Sequence, residues 1–504
     1  MSSTEGVILG LDAGSTVTKA VAFDGSGGIV ARAARPSKPI LSMPGWSECD
    51  PGRFWELACE VLREVHASLN GRPILAASIS GTMGGAWLVD RAGQPVRRGI
   101  LWNDGRAAGY LRDWSADGTL ARLFDLSCNA CAPGFTLPVL RWLKDHEPDV
   151  LASAHRLLFA KDYLRFCLTG ELATEESDAS HVPGDVHERG FSVSAMRLCG
   201  VEDAVRLLPE VIASGAVAGT VTPVAMRATG LPAGTPVVTG LADVSATLLG
   251  AGGIRPGVCI AIAGTSLLNC ATTREPVFEP RGVGVSFLLP GRLHARAMPN
   301  QTGALAVNWF AREFLTSADD GAPDPSALDA LAMQVPPGSR GVLFHPYLNS
   351  TGVIAPVYEP RARGRFWGLG IEHTRADLLR AVYEGVAFSM ADCLRALVGA
   401  DGCVRLVGGL SNSPFWRQLF ADVTGRRVVS MTCPEAGALG VAMLAGVALS
   451  VWRDLEHAVD TGCRVGPSVE PEPDRHAFYA QRYKLYRHLR ERLTEECNLS
   501  EETQ

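Results

Sequence analysis

Asp12 closes the apolar run "GVILGLD", and Gly14, Ser15 and Thr16 follow it at once. Tight turns of this composition bind anionic oxygens through backbone N–H groups, with hydroxyls as further donors. A carboxylate beside such a turn suits a hydrated magnesium ion, which keeps most of its waters and takes one or two protein oxygens. A plain hairpin connector has the same composition, so one turn alone does not decide. A second turn, Gly264-Thr265-Ser266 in "AIAGTSLLNCATT", repeats the pattern about 250 residues later, an echo at domain scale. "VGGLSNS" (407–413) adds a third between the apolar run "CVRLV" and the helical pattern "PFWRQLFADV". Three such turns in a duplicated chain point to a phosphate-bearing ligand. Asp243 ends "VVTGLAD", where a carboxylate aimed into a cleft takes a proton from an attacking hydroxyl. A helix cap or solvated turn is the plainer alternative for either aspartate. "LWNDGRA" (101–107) gathers Trp102, Asn103, Asp104 and Arg106 in one turn. Each hydroxyl of a buried sugar needs a hydrogen-bond partner, and this turn is rich in them.

Other chemistries are excluded by what the chain lacks. There is no G-x-x-x-x-G-K-S/T, no G-x-G-x-x-G between strand and helix, no G-x-S-x-G and no protein-kinase signature pair. A net charge of −6 leaves no footprint for nucleic acid. Thirteen scattered cysteines do not form a secreted disulfide framework, and Cys128 and Cys131 in "CNAC" have no second pair to complete a zinc site. His181 and His187 flank a Pro-Gly turn and read as solvated loop residues. The N-terminus has no basic and apolar leader, and no stretch of 18 apolar residues spans a membrane, so the expectation is a cytoplasmic protein.

These residues need a scaffold of two domains, the prior for 504 residues. Strands are expected at 7–13, 17–23 and 74–81, two strands about a Gly-Thr-Ser turn at 257–273, and a strand ending in a Gly-rich turn at 234–243. "AWLVDRAGQPV" (86–96) reads as a strand and hairpin, and 136–168 reads as helical. The strongest helix is 375–398, with Thr374 and Asp377 as a capping box and Gly399 at the C-cap. "GAGGIRPG" places the domain boundary within 244–256, giving units 1–248 and 249–455 and a helical tail, 456–504. Glycine is abundant, 54 against about 35 at average usage, and clusters where backbone approaches backbone or ligand.

Two longer stretches carry a resemblance. "GRFWGLGIEHTRADLLRAVYE" (364–384) and "GFTLPVLRWLKDH" (134–146) resemble the two signatures of the FGGY family of carbohydrate kinases, the second departing at Val139 where lysine is usual. "GWSECDP" (45–51), "KDYLRFCLTGE" (161–171), "ESDAS" (176–180) and "EAGALGVAMLAG" (435–446) resemble further family landmarks in family order, from about residue 7 to about residue 450. The resemblance implies an α/β, duplicated actin-like (ribonuclease H-like) ATPase fold, with two domains flanking a cleft.

It also implies roles. Asp12, Gly14, Ser15, Thr16 and Lys19 become the first phosphate loop, with magnesium held at Asp12 through water. Gly264, Thr265 and Ser266 become the second loop. Gly408, Gly409 and Asn412 lie on the adenosine side, with Ala304 and Asn308 near the nucleotide, and Asp243 becomes the catalytic base. "SGTMGGAWLVD" (80–90) occupies the substrate loop through Thr82, Met83 and Gly84, where xylulokinases resemble "GQMHG". The expected reaction is transfer of the ATP γ-phosphate to a terminal hydroxyl of a ketopentose, with Mg2+. A polyol acceptor of the erythritol or pentitol type is the alternative within the family, and an actin- or chaperone-type ATPase is the alternative of another class. The resemblance further implies an oligomer, a homodimer or a tetramer, with no stretch that marks its interface.

Overall fold

The computed structural model describes residues 6–181, 184–315, 324–349, 351–398 and 402–499. The apolar runs fold into two mixed sheets built to one plan. The first holds β1 (Val7–Ala13), β2 (Val17–Phe23), β3 (Ile29–Pro36), β4 (Ile74–Gly81), β5 (Val217–Thr220) and β6 (Pro236–Ala242), in the order β5-β6-β4-β1-β2-β3. The second holds β7 (Cys259–Ala263), β8 (Leu267–Thr273), β9 (Val285–Leu289), β10 (Leu293–Asn300), β11 (Val404–Val407), β12 (Val428–Met431) and β13 (Val465–Val469), in the order β9-β10-β8-β7-β11-β12-β13. In each, an antiparallel meander (β1-β2-β3 or β7-β8-β10) is extended by two parallel strands (β4, β6 or β11, β12) and an antiparallel edge strand. The duplication seen as two similar turns is therefore a duplication of whole sheets.

Among the helices packed on the sheets are α1 (Pro51–Ser68), α2 (Ala160–Thr169), α3 (Asp243–Gly250), α4 (Ala304–Phe314), α5 (Arg375–Ala396), α6 (Pro414–Thr424), α7 (Ala436–Ala448) and α8 (Pro473–Leu499). One face of the first sheet is sealed by α1 and α2 through Phe54, Val61, Leu62 and Leu164. The outer face of the second sheet is sealed by α4, α5, α6 and α8. Between the sheets lie α3 and α7, each packed on the sheet from the other half of the chain. Leu439 and Ala442 of α7 join Ile8 and Phe23 of the first sheet, and Leu248 of α3 joins Ile260 and Phe287 of the second. Such a helix is apolar on every side because no side faces water, and "AGALGVAMLAG" is that kind of segment. The two helices cross almost backbone to backbone: a Cβ on Gly440 would stand 1.9 Å from the Ala246 carbonyl oxygen, and one on Gly250 would stand 1.9 Å from that of Ala436.

The capping box forms as expected, with the Asp377 carboxylate accepting from Thr374 N at 2.8 Å. Its helix runs Arg375–Ala396, and Gly399 lies outside the described residues. Within the longer signature, Glu384 is buried and organises the turn before it, accepting from Gly338 N at 2.8 Å and Ser339 Oγ at 3.0 Å.

Three expectations are corrected. The stretch 136–168 is two helices (Thr136–His146, Pro148–Ser153), a strand (Arg156–Leu158) and α2, because Arg156–Leu158 pairs with Trp87–Val89. The strand β6 runs straight into α3 without a Gly-rich turn, and residue 248 lies inside that helix. As expected, the stretch 257–273 is two strands about the Gly264 turn. The segment after residue 455 is not a purely helical tail: β13 completes the second sheet, and α8 packs on its helices through Tyr479 and Tyr483. Among the described residues no helix is long and apolar enough to cross a membrane.

Candidate active site

In both sheets the candidate residues collect at the carboxyl ends of the parallel strands, the edge where open α/β sheets bind ligands. Asp12 is the penultimate residue of β1, Ser80 the penultimate residue of β4, and Asp243 follows β6 directly. Ser80 Oγ donates to Asp12 Oδ1 at 2.6 Å and fixes one face of that carboxylate. Burial raises the Asp12 pKa, against the lowering effects of the Ser80 hydrogen bond and of Lys19. At Asp243 burial pushes the carboxyl up to about 7, and the charge of Asp12 adds to the shift. The two carboxylates thus feel each other's charge, and a group near neutrality is suited to accept a proton.

The first turn is shaped by backbone contacts: Gly14 N donates to Val17 O at 3.0 Å and Ser37 N to Thr16 O at 2.7 Å. Lys19 is bound to Glu435, with Nζ donating to Oε2 at 2.9 Å. This pair joins the first sheet to the residue before α7. Next along the chain, Gly437 keeps the space over Asp12 open, since a Cβ there would stand 3.1 Å from Oδ2. Among the described residues no group of three or more His, Cys, Asp or Glu could hold a metal alone. A single carboxylate with room beside it nevertheless fits magnesium carried in by phosphates, since that ion retains its waters.

The second turn is stapled to a helix. Gly303 N and Leu305 N donate to Thr265 O at 2.9 and 3.1 Å, and Ala304 N donates to Gly264 O at 2.9 Å. The start of α4 is thereby fixed against the Gly264 turn, with Thr265, Ser266 and, one helical turn on, Asn308 exposed. At the end of β11 the chain passes close over β7: a Cβ on Gly408 would stand 2.5 Å from Ala263 O. Gly408, Gly409 and Asn412 are likewise exposed.

On the substrate side, Thr82 and Met83 continue β4 and are almost wholly buried, and a cavity of about 270 Å³ lies against Thr82, Gly14 and Ser15, walled by Phe54, Trp87 and Leu101. The turn 101–107 departs from expectation. Asp104 is buried and accepts from Ser47 N (2.6 Å), Arg106 N (2.9 Å) and Arg106 Nε (2.8 Å). The Arg106 guanidinium lies 3.9 Å over Trp46 and also reaches Glu48 at 2.9 Å. Asp104 and Arg106 therefore turn inward and build the bend, while Trp102 and Asn103 are the exposed members. His181 is corrected too: it is buried, whereas His187 is exposed. Cys128 is buried with its thiol donating to Val277 O at 3.0 Å, and burial raises its pKa to about 11, so it is no thiolate.

Sequence reasoning gave no role to the charged cluster behind Asp243. Lys161, wholly buried, lies 2.9 Å from Asp162, 3.2 Å from Glu175 and 2.7 Å from Asp178. Burial opposes its charge, but the three carboxylates hold its pKa above the ordinary lysine value. Ser177 Oγ donates to Glu175 Oε1 at 2.5 Å and accepts from Ala242 N at 2.9 Å, so the cluster grips the residue before Asp243. The landmarks "KDYL" and "ESDAS" were its signal, scattered over 17 positions and joined only by the fold.

Comparison with known proteins decides the family. The model of the "FGGY family of carbohydrate kinases, N-terminal domain" matches residues 7–250, and that of the C-terminal domain matches residues 259–449. The chain is an FGGY-family carbohydrate kinase. This kinase is 31% identical over 490 residues to a probable L-xylulose kinase of Pasteurella multocida, covering 95% of this chain and 98% of that one. It is 32% identical over 495 residues to the xylulose kinase of Escherichia coli, covering 96% and 99%. Among solved structures it superposes on a gluconate kinase of Lactobacillus acidophilus with a TM-score of 0.90 at 25% identity, covering 97% and 98%. The kinase is accordingly a phosphotransferase of sugars or polyols, and FGGY kinases use ATP with Mg2+. Its two-domain α/β fold places a cleft between the sheets.

Proposed function

We propose that this kinase phosphorylates a terminal hydroxyl of a xylulose-like ketopentose. Asp243 is the general base, Asp12 carries magnesium through water, and the Gly14–Thr16 and Gly264–Ser266 turns hold the phosphates. The observation that carries this reading is the pair Asp12 and Asp243 at one sheet edge, with Asp243 raised to about 7. A base at that pKa is about half deprotonated at neutral pH, and it is basic enough to take a hydroxyl proton. Magnesium supplies charge neutralisation on the phosphates when bound. Ser15 and Thr16 add hydroxyl donors, Ala304 and Asn308 flank the nucleotide, and Gly408, Gly409 and Asn412 take its adenosine side. Thr82, Met83, Gly84, Trp102 and Asn103 form the acceptor side. The names of the relatives, L-xylulose and xylulose kinases, support a ketopentose. A polyol is the second reading, favoured by the small residues Thr82 and Gly84 in the acceptor loop.

The test is product analysis. The enzyme, incubated with MgATP and D-xylulose, L-xylulose, gluconate or xylitol in turn, is expected to give a phosphate monoester from a xylulose. Its proton-coupled phosphorus NMR signal should be a triplet, because the ester oxygen sits on a CH2. A doublet would place the phosphate on a secondary carbon, and ADP release without any ester would replace this reading with that of an ATPase. Ser15→Val is expected to raise the KM for ATP about tenfold by removing one phosphate donor. An unchanged KM for ATP would remove Ser15 from the phosphate site.

A further inference from the structure

We propose that His181 is a ligand of the acceptor sugar, hydrogen-bonding hydroxyls of its carbon chain. This rests on the reading that the acceptor lies against Met83 and Gly84.

His181 is only 3% exposed, and neither ring nitrogen finds a hydrogen-bond partner among the described residues. Buried polar atoms are nearly always paired, and an orphan is costly enough to need a reason. Its neighbours say where the imidazole lies. The Phe135 ring meets it edge to face with centroids 4.6 Å apart, and Phe287 of β9 stacks at 6.0 Å on the other side. Phe135 is also the wall of the acceptor loop, since its Cδ1 is 3.8 Å from where a Cβ on Gly84 would stand. Phe287 shares an apolar cluster with Met83 and with Ala242, the residue before Asp243. The imidazole is thus wedged between Phe135, which borders the acceptor loop of one lobe, and a strand of the other. Its backbone is pinned there, with Asn129 Nδ2 donating to His181 O at 3.2 Å while Asn129 Oδ1 accepts from Ser286 N at 2.8 Å.

The missing partner has a definite chemistry. Burial alone lowers the His181 pKa, to about 3, with no charged group contributing. A neutral imidazole has one donor and one acceptor nitrogen, the complement of uncharged hydroxyls. A phosphate would call for a cation at this position.

The test is His181→Leu, measured with whichever of D-xylulose, L-xylulose, gluconate and xylitol the wild type phosphorylates fastest. The KM for that acceptor is expected to rise at least tenfold, with the KM for ATP unchanged and the melting temperature the same or higher, because an unpaired polar group has been replaced by an apolar one. His181→Gln, which keeps a donor and an acceptor, should recover most of the acceptor affinity, and His181→Phe, a ring with no polar atom, takes the place of the leucine variant if that one does not fold. An unchanged acceptor KM in the folded leucine or phenylalanine variant would mean that a buried water satisfies the ring, and would overturn the proposal. A lower melting temperature in the leucine variant with equal loss toward both substrates would make His181 structural, and would overturn it too. Wild-type inactivity toward all four acceptors would instead defeat the function reading on which it rests.

Discussion

Asp243→Asn is expected to lower kcat about a thousandfold, the scale of a lost general base, while the acceptor still binds. Asparagine matches aspartate in size and keeps the start of α3, so the loss would lie in proton transfer. Titration calorimetry with the acceptor would show binding within a few-fold of wild type. Near-normal turnover would remove Asp243 from the chemistry. The same variant has a stability signature of opposite sign. Burial and the charge of Asp12 raise Asp243 to about 7 in the folded protein, far above its unfolded value near 4. A carboxylate with a raised folded pKa favours folding only while protonated, and that benefit is lost as pH rises from about 4 to about 7. Above pH 7 the native state holds an unfavourable buried charge. Asp243→Asn, free of nucleotide and magnesium, should therefore melt roughly 2 °C or more above wild type at pH 8, with the difference shrinking toward pH 4. A variant that is slower yet more stable is the mark of a strained functional carboxylate.

Gly440→Val is the other large effect. The Cβ would meet the Ala246 carbonyl at 1.9 Å, backbone against backbone, where neither helix has a flexible side chain to move aside. Separating α3 from α7 breaks the packing between the sheets, a cost of at least about 3 kcal/mol. A melting temperature at least roughly 3 °C lower is expected, or recovery in inclusion bodies. Activity should fall even in the folded fraction, since Asp243 begins α3 and Gly437 of α7 stands over Asp12. Gly25→Ala, whose Cβ meets nothing within 4 Å, is the matched control and should melt as wild type does. Equal melting temperatures for the two variants would show that the helix crossing is looser than described.

What the sequence made legible was local. The strands β1, β2 and β4 were readable because each is an apolar run closed by small residues, and the capping box at Thr374 because all its parts lie within four positions. The phosphate-type turns were visible for the same reason, composition fixing their shape. What escaped was decided by distant partners. Arg156–Leu158 is a strand only because Trp87–Val89 lies beside it. Asp104 and Arg106 advertise ligand binding by composition, yet Trp46, Ser47 and Glu48 close around them. His181 looks like a loop residue until Phe135 and Phe287, more than 40 positions away on either side, enclose it. The exchange of α3 and α7 between halves has no local mark beyond the glycines at their crossing.

The most direct test of the whole account is ADP release from MgATP by the wild type and by Asp243→Asn, with and without D- or L-xylulose. A carbohydrate kinase with Asp243 as its base releases ADP rapidly only when a xylulose is present, and the variant releases almost none in either case. ADP release by the wild type that no sugar stimulates, or a sugar-stimulated rate that survives in Asp243→Asn, would contradict it.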